Sequence, residues 1–262
     1  HKPELLAALT DFYALRGFRP LGEIAAVLRT VPEFQDLAGG FHGTRACLKH
    51  LYAQVMHLEQ AALDQLLDPL LDRLGRQDRV RPFTKQDREH WLLRADQDFS
   101  RQGHRDRGLF AMYLLNLIHL RPGQAMYLPA GELHAYLEGT GVEVMANSNN
   151  VLRGGLTSKH IDPDELLHIL TFASGPAEIL EPAPDPDNPD LTAYHTPAEE
   201  FDLARVHVTA SHPYKAASHH GVRLLLVTEG NLRVTTDDGE HQAFRSGQAF
   251  LIPQGVAYRI PC

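Results

Sequence analysis

Two segments of the sequence obey one template of a glycine, five residues, a proline, any residue, a glycine and two more residues: PGQAMYLPAGELHAYL over 122–137 and SGQAFLIPQGVAYRI over 246–260. The position that completes the template is His134 in the first copy and Tyr258 in the second. PG ahead of a strand and PAG behind it both turn the chain, so the completing residue opens the next strand facing inward. In a small β-barrel an inward position looks into the cavity, where an imidazole is a candidate metal ligand. A lone histidine on a strand is more often a satisfied polar residue than a ligand, and only the motif around His134 raises it above that. Glu4, Lys2, Glu143, Arg153 and Lys159 are in the same position: each taken singly reads as a solvated charge. Glu143 lies in the apolar run VEVM, where alternation could turn it outward.

The elements that would position these residues fall into three regions. Over 21–107 the pattern is helical, with Leu58, Ala62, Leu66, Leu70 and Leu74 recurring every four residues beside Leu63, Leu67 and Leu71. That stripe is core, and Pro69 within it marks a kink or a break. Ahead of it, PELLAALTDFYAL over 3–15 fits a strand or a short helix equally well. Behind it, from about residue 108 to 180, short apolar runs punctuated by Gly and Pro indicate strands. The proline-rich, acidic stretch over 181–202 has no periodicity and reads as an extended linker. Residues 203–262 are again strands and turns, with DDG at 237–239 as a hairpin signal.

Composition narrows the function. A chain of 262 residues, 43% hydrophobic and 22% charged, is long enough for more than one module. Its formal charge of −8 speaks against a nucleic-acid partner, since phosphate backbones require a cationic face. No apolar run approaches the roughly 18 residues of a membrane span. The two cysteines, Cys47 and Cys262, lie far apart and write no disulfide framework, so a cytoplasmic location and no membrane partner are expected.

The repeated template resembles the second motif of the cupin superfamily, whose histidine binds metal. The resemblance implies a mainly β fold: two cupin (jelly-roll-like) barrels plus an α-helical domain inserted into the first. Residues 1–20 and 108–180 would form the catalytic cupin, 21–107 the helical insert and 203–262 a second cupin. In that second copy Tyr258 replaces the ligand and Arg223 stands where a metal-binding cupin would carry a carboxylate, so it reads as structural despite His219 and His220 nearby.

LPAGELHAYL, EVMANSNNVLRGGLTSK and the opening HKPEL are together similar to the zinc-dependent type I mannose-6-phosphate isomerases, over nearly the whole chain. The resemblance implies an aldose–ketose isomerase with one Zn2+ per subunit, bound in part by Glu4 and His134. It makes Arg153 the catalytic arginine and Lys2, Glu143 and Lys159 residues of the sugar-phosphate cavity. The chemistry suits these types, because moving a carbonyl between C1 and C2 of a sugar passes through an enediol whose developing charge needs a Lewis acid and fixed cations. For proton transfer the candidates are Glu143, Lys2 and a zinc-bound water. The family's Asp and Pro are replaced here by Asn149 and Ser158. Its remaining two zinc ligands, a Gln-x-His pair, lie ahead of the HKPE motif, and a preceding segment is expected to supply them. The partner expected is a small sugar phosphate, and the expected state a monomer. Two rivals are another metal cupin such as a dioxygenase, against which stands the lack of an HxH pair before His134, and a non-catalytic sugar-phosphate-binding cupin.

Overall fold

A computed structural model describes residues 2–186, 188, 190–209 and 211–261. The chain divides into two units, His1–Glu181 with Thr196–Asp202, and Pro182–His195 with Leu203–Cys262.

The first unit opens with two strands, β1 (Glu4–Ala8) and β2 (Phe12–Phe18), which resolves the ambiguity of the opening run in favour of strand. All five residues of β1 are buried, so neither face could have been left to the polar side of an amphipathic helix. Then come α1 (Leu21–Thr30), α2 (Gln35–Ala38), α3 (Arg45–His57), α4 (Gln60–Val80), α5 (Arg88–Phe99) and α6 (Ala111–Leu114). The chain returns to strand with β3 (Leu115–Leu120), β4 (Ala125–Leu128), β5 (His134–Glu138) and β6 (Gly141–Met145), followed by α7 (Pro163–Ile169). Strands from before and after the helices pair with one another: β4-β1-β6 form one antiparallel sheet and β3-β2-β5 the other.

Register decides what lies between the sheets. Leu6 pairs with Met126 and Ala14 with Ile118, and these residues share a core with Ala8, Phe12, Leu120 and Leu128. On the other flank of each central strand the inward positions are polar: Glu4 pairs with Met145, Leu6 with Glu143, Ala14 with Tyr136 and Arg16 with His134. Directly paired residues point to the same side of a sheet. The inter-sheet space is therefore apolar between β3 and β4 and polar between β5 and β6.

The opposite face of β2, through Tyr13, Leu15 and Phe18, packs on the helices. Thr44 caps α3, its hydroxyl accepting from the Cys47 amide at 3.2 Å. The expected leucine stripe supplies the core: Leu63, Leu67, Leu70, Leu71 and Leu74 are buried, and Leu58 and Leu66 pack against them. Two details differ, since Leu58 ends α3 instead of continuing α4 and Ala62 is exposed. Pro69 does not end α4, which runs through it on the exposed side.

The second unit contains β7 (Ala183–Pro184), β8 (Leu191–Ala193), β9 (Ala204–Val206), β10 (Tyr214–Ala216), β11 (Arg223–Leu226), β12 (Asn231–Thr236), β13 (His241–Arg245), β14 (Ala249–Ile252) and β15 (Tyr258–Ile260). They form sheets β7-β8-β9, β10-β15-β12-β13 and β11-β14. The expected linker over 181–202 is thus corrected: part of it is β7 and β8, hydrogen-bonded to β9, because the prolines punctuate short edge strands without abolishing them. DDG closes the β12–β13 hairpin, Gly239 donating to the Thr236 carbonyl at 3.0 Å. Among the described residues no helix is long and apolar enough to cross a membrane.

The seam is testable by chemical denaturation. Leu67→Ala, at a fully buried position, is expected to cost about 2–5 kcal/mol, whereas Ala62→Ser should stay within about 0.5 kcal/mol. A larger loss at Ala62 than at Leu67 would overturn this placement of the seam.

Candidate metal centre

Glu4 is the one buried charged residue among those described, 8% exposed. A carboxylate withdrawn from water has to be compensated, and Lys2 does so while His134 stands beside it. Lys2 Nζ lies 2.8 Å from Glu4 Oε1, and His134 Nε2 lies 3.6 Å from Glu4 Oε2. Lys2 and Glu4 are two residues apart and share a side of the extended chain, while His134 comes from the opposite sheet at the start of β5. The Nδ1–H of His134 donates to the carbonyl of Glu132 at 3.3 Å, which leaves Nε2 as the nitrogen with an open lone pair.

Next along the same inward faces stand Tyr136 and Glu143, where the tyrosine hydroxyl donates to Glu143 Oε1. Although 41% of Tyr136 is accessible, burial is the largest factor raising its phenol pKa well above the usual tyrosine value, followed by the Glu143 hydrogen bond and the negative charges of Glu143 and Glu4. Tyr136 therefore acts here as a fixed O–H donor. Arg16, also on this wall, gives its Nε to Glu132 Oε1 at 2.7 Å and its Nη1 to the Glu178 carbonyl at 2.9 Å, tying the turn before His134 to β2.

The structure brings Lys2, Glu4, His134 and Glu143 to one wall. The question of whether Glu143 turns outward is settled by its pairing with Leu6. Arg153 lies on the loop after β6, half-buried, and Lys159 farther along it is exposed. Neither side chain has a hydrogen-bond or ion-pair partner among the described residues, and no contact joins them to Glu4 or His134. The loop packs on the helical side: a methyl built on Gly154 would fall 3.2 Å from the side chain of Leu133, which lies against the helical core. Tyr136 and Arg16 escaped the sequence reading. The signal for Tyr136 was its i, i+2 spacing from His134 on one strand; for Arg16 it was a lone charge in the apolar run FYALRGF.

Glu4 and His134 offer one oxygen and one nitrogen donor 3.6 Å apart, a donor chemistry that fits zinc. Catalytic zinc normally takes about three protein ligands, and among the described residues no cluster of three His, Cys, Asp or Glu side chains could hold a metal. In the second unit Tyr258 is buried among Tyr214, Ala216, Val234, Ile252 and Ile260 as a core residue. Neither ring nitrogen of His219 has a hydrogen-bond partner among the described residues, and burial, then Arg223 and His220, push its pKa down.

No family model matches the chain. It is 34% identical to the mannose-6-phosphate isomerase of Rattus norvegicus over 269 residues, 96% of this chain and 63% of that protein. It is 32% identical to mannose-6-phosphate isomerase 1 of Arabidopsis thaliana over 266 residues, 97% of this chain and 60% of that protein. Among solved structures, mannose 6-phosphate isomerase from Salmonella typhimurium bound to substrate (fructose 6-phosphate) and zinc superposes with a TM-score of 0.78 at 26% identity, covering 100% of this chain and 66% of that one. A mannose 6-phosphate isomerase bound with zinc and yttrium gives the same TM-score and coverage at 26% identity. The chain spans less than two thirds of the length of these relatives.

The raised phenol pKa sets a sign. Because the folded value of Tyr136 lies above the unfolded value of 10.0, its contribution to stability is fully present below that pH and is lost as pH rises through the folded pKa. Tyr136→Phe should therefore be less stable than the parent at neutral pH, with the gap closing above pH 10, and should leave the number of phenols ionised at about pH 11 unchanged by absorbance titration. A variant that ionises one phenol fewer at that pH would refute the assignment.

Proposed function

We propose that this chain, homologous along nearly its whole length to mannose-6-phosphate isomerases, carries part of the zinc site and the sugar-facing wall of an aldose–ketose isomerase that interconverts mannose 6-phosphate and fructose 6-phosphate. The observation that carries the reading is the buried Glu4 carboxylate, set between Lys2 and His134 on a wall that continues into Tyr136 and Glu143. The two units are, on this reading, cupin-type jelly rolls, the first catalytic and the second without a metal. The protein acts in the cytoplasm as a monomer on a small sugar phosphate.

Glu4 and His134 hold zinc, which supplies Lewis-acid polarisation of the sugar oxygens when bound. Everything else falls to the chain's own side chains. The reaction removes a proton from the carbon beside the carbonyl and returns one to its neighbour through a cis-enediol. Lys2 is engaged as a donor to Glu4, so Glu143 is the group on this wall with an oxygen left to receive that proton: Tyr136 holds Oε1, and Oε2 has no hydrogen-bond partner among the described residues. Arg153 supplies a permanent, planar cation with no ion-pair partner among the described residues, suited to the enediolate or the phosphate, and Lys159 adds a second charge for the dianion. Asn149 in place of an aspartate gives the loop after β6 one negative charge fewer.

Turnover separates this reading from a binding-only cupin. The zinc-loaded protein should form fructose 6-phosphate from mannose 6-phosphate, lose activity on chelation and regain it with zinc. Binding of the sugar phosphate without turnover would replace the isomerase by the non-catalytic alternative. Arg153→Ala should lower kcat by about 100-fold or more while zinc content and the unfolding midpoint stay at parental values. Near-normal kcat in that variant would remove Arg153 from the catalytic set.

A further inference from the structure

Arg153 has no hydrogen-bond or ion-pair partner among the described residues, so the backbone of its own loop governs its placement. We propose that Asp106 is a positioning residue for Arg153, and that the helical insert serves as the mount on which the arginine loop is fixed. Asp106 Oδ1 accepts two amide hydrogens, that of Gly108 at 2.7 Å and that of Leu156 at 2.8 Å. Leu156 stands three residues after Arg153 and adopts φ +51°, a left-handed conformation a leucine keeps only when its surroundings impose it.

The two segments joined by that carboxylate touch backbone to backbone. A Cβ on Gly108 would lie 2.5 Å from Leu156 N and 2.7 Å from Gly155 Cα, and one on Gly155 would lie 2.3 Å from Gly108 Cα. Only a glycine on each side permits the contact. On the loop's other side a Cβ on Gly154 would meet the hydroxyl of Tyr52 from α3 at 2.7 Å. The loop is thus clamped by residues of the helical region.

Asp106 is itself rigidly held. Its amide donates to Ser100 Oγ at 3.2 Å, and that hydroxyl donates to Asp96 Oδ1 at 2.6 Å on α5. The amide of Arg105 donates to Asp64 Oδ1 at 2.7 Å on α4, and its guanidinium bridges Asp68 at 2.7 Å and Asp96 at 3.0 Å. Movement of α4 against α5 would therefore be passed to the loop through Arg105 and Asp106. Asp106 contributes only an accepting oxygen in this arrangement, so its negative charge is dispensable.

This inference rests on the isomerase reading for its kinetic arm and on nothing but the loop for its structural arm. In the zinc-loaded protein, Asp106→Ala should lower kcat by about 100-fold with zinc stoichiometry unchanged, while Asp106→Asn, which keeps an accepting oxygen, stays within about threefold of the parent. In an Arg153→Ala background, Asp106→Ala should cost less than about twofold more, because the group it places is gone. Hydrogen exchange of the Leu156 amide should accelerate at least tenfold in Asp106→Ala and not in Asp106→Asn. Equal damage by Asn and Ala, additive losses in the double variant, or an unchanged Leu156 exchange rate would each overturn the proposal. If the parent does not isomerise mannose 6-phosphate, the functional reading fails while the Leu156 exchange still decides the anchor. Should Asp106→Ala not fold, Gly155→Ala forces the same contact apart from the loop side and carries the same expectations.

Discussion

A carboxylate that is 8% exposed in the interior of a two-sheet unit has to be neutralised by its neighbours, and Glu4 sets that condition for everything around it. The effective penalty for an unpaired buried charge is several kcal/mol, a large share of a domain's net stability. Lys2 meets the condition from the same strand edge. A pair made only of Glu4 and Lys2 satisfies the charge. The approach of His134 Nε2 from the opposing sheet to the second carboxylate oxygen turns a compensated charge into a set of convergent donors.

The strand order makes room for this without sacrificing the core. β1 and β2 are central strands, and each has one apolar and one polar flanking neighbour. The side bounded by β3 and β4 is closed, with Ile118, Leu120, Met126 and Leu128 at most 4% exposed. The side bounded by β5 and β6 stays open, with Glu143 and Met145 accessible. One sandwich interior thus holds together at one flank and presents chemistry at the other, and the inward residues of the same two central strands serve both.

How much of this could be read beforehand depended on the distance over which each feature is encoded. His134 sits in a motif whose turn residues determine its direction locally, whereas Glu4 taken alone reads as a solvated charge and stood out only through the resemblance carried by HKPEL. Glu143 could not be oriented from VEVM alone, because its side is set by pairing with Leu6, 137 residues earlier in the chain. Tyr136 was passed over because a tyrosine in an apolar run is ordinarily core; only its hydrogen bond to Glu143 marks it out. The α4 leucines were legible, but the break at Leu58 was not: leucine spacing continues smoothly across it, and the end of α3 there carries no glycine to announce it. In the proline-rich stretch, composition outweighed the short strands β7 and β8, which exist by virtue of their partners and have little periodicity of their own.

Asp106 belongs at the far end of that scale. Nothing around HRDRGLF distinguishes it from a helix cap, and it does cap the turn that begins at Arg107. Its second bond, to an amide 50 residues away, appears only once the chain is folded. That bond suggests why a helical region should be inserted between β2 and β3 at all. A long loop carrying a cationic side chain has few local means of staying in place, since loops lack the repeating hydrogen bonds of strands and helices. A packed set of helices, with Trp91, Leu67 and Leu92 at its centre, is stiff enough to hold a single carboxylate in register against that loop. The insert thereby constrains the loop through its backbone, by one carboxylate and one glycine-to-glycine contact.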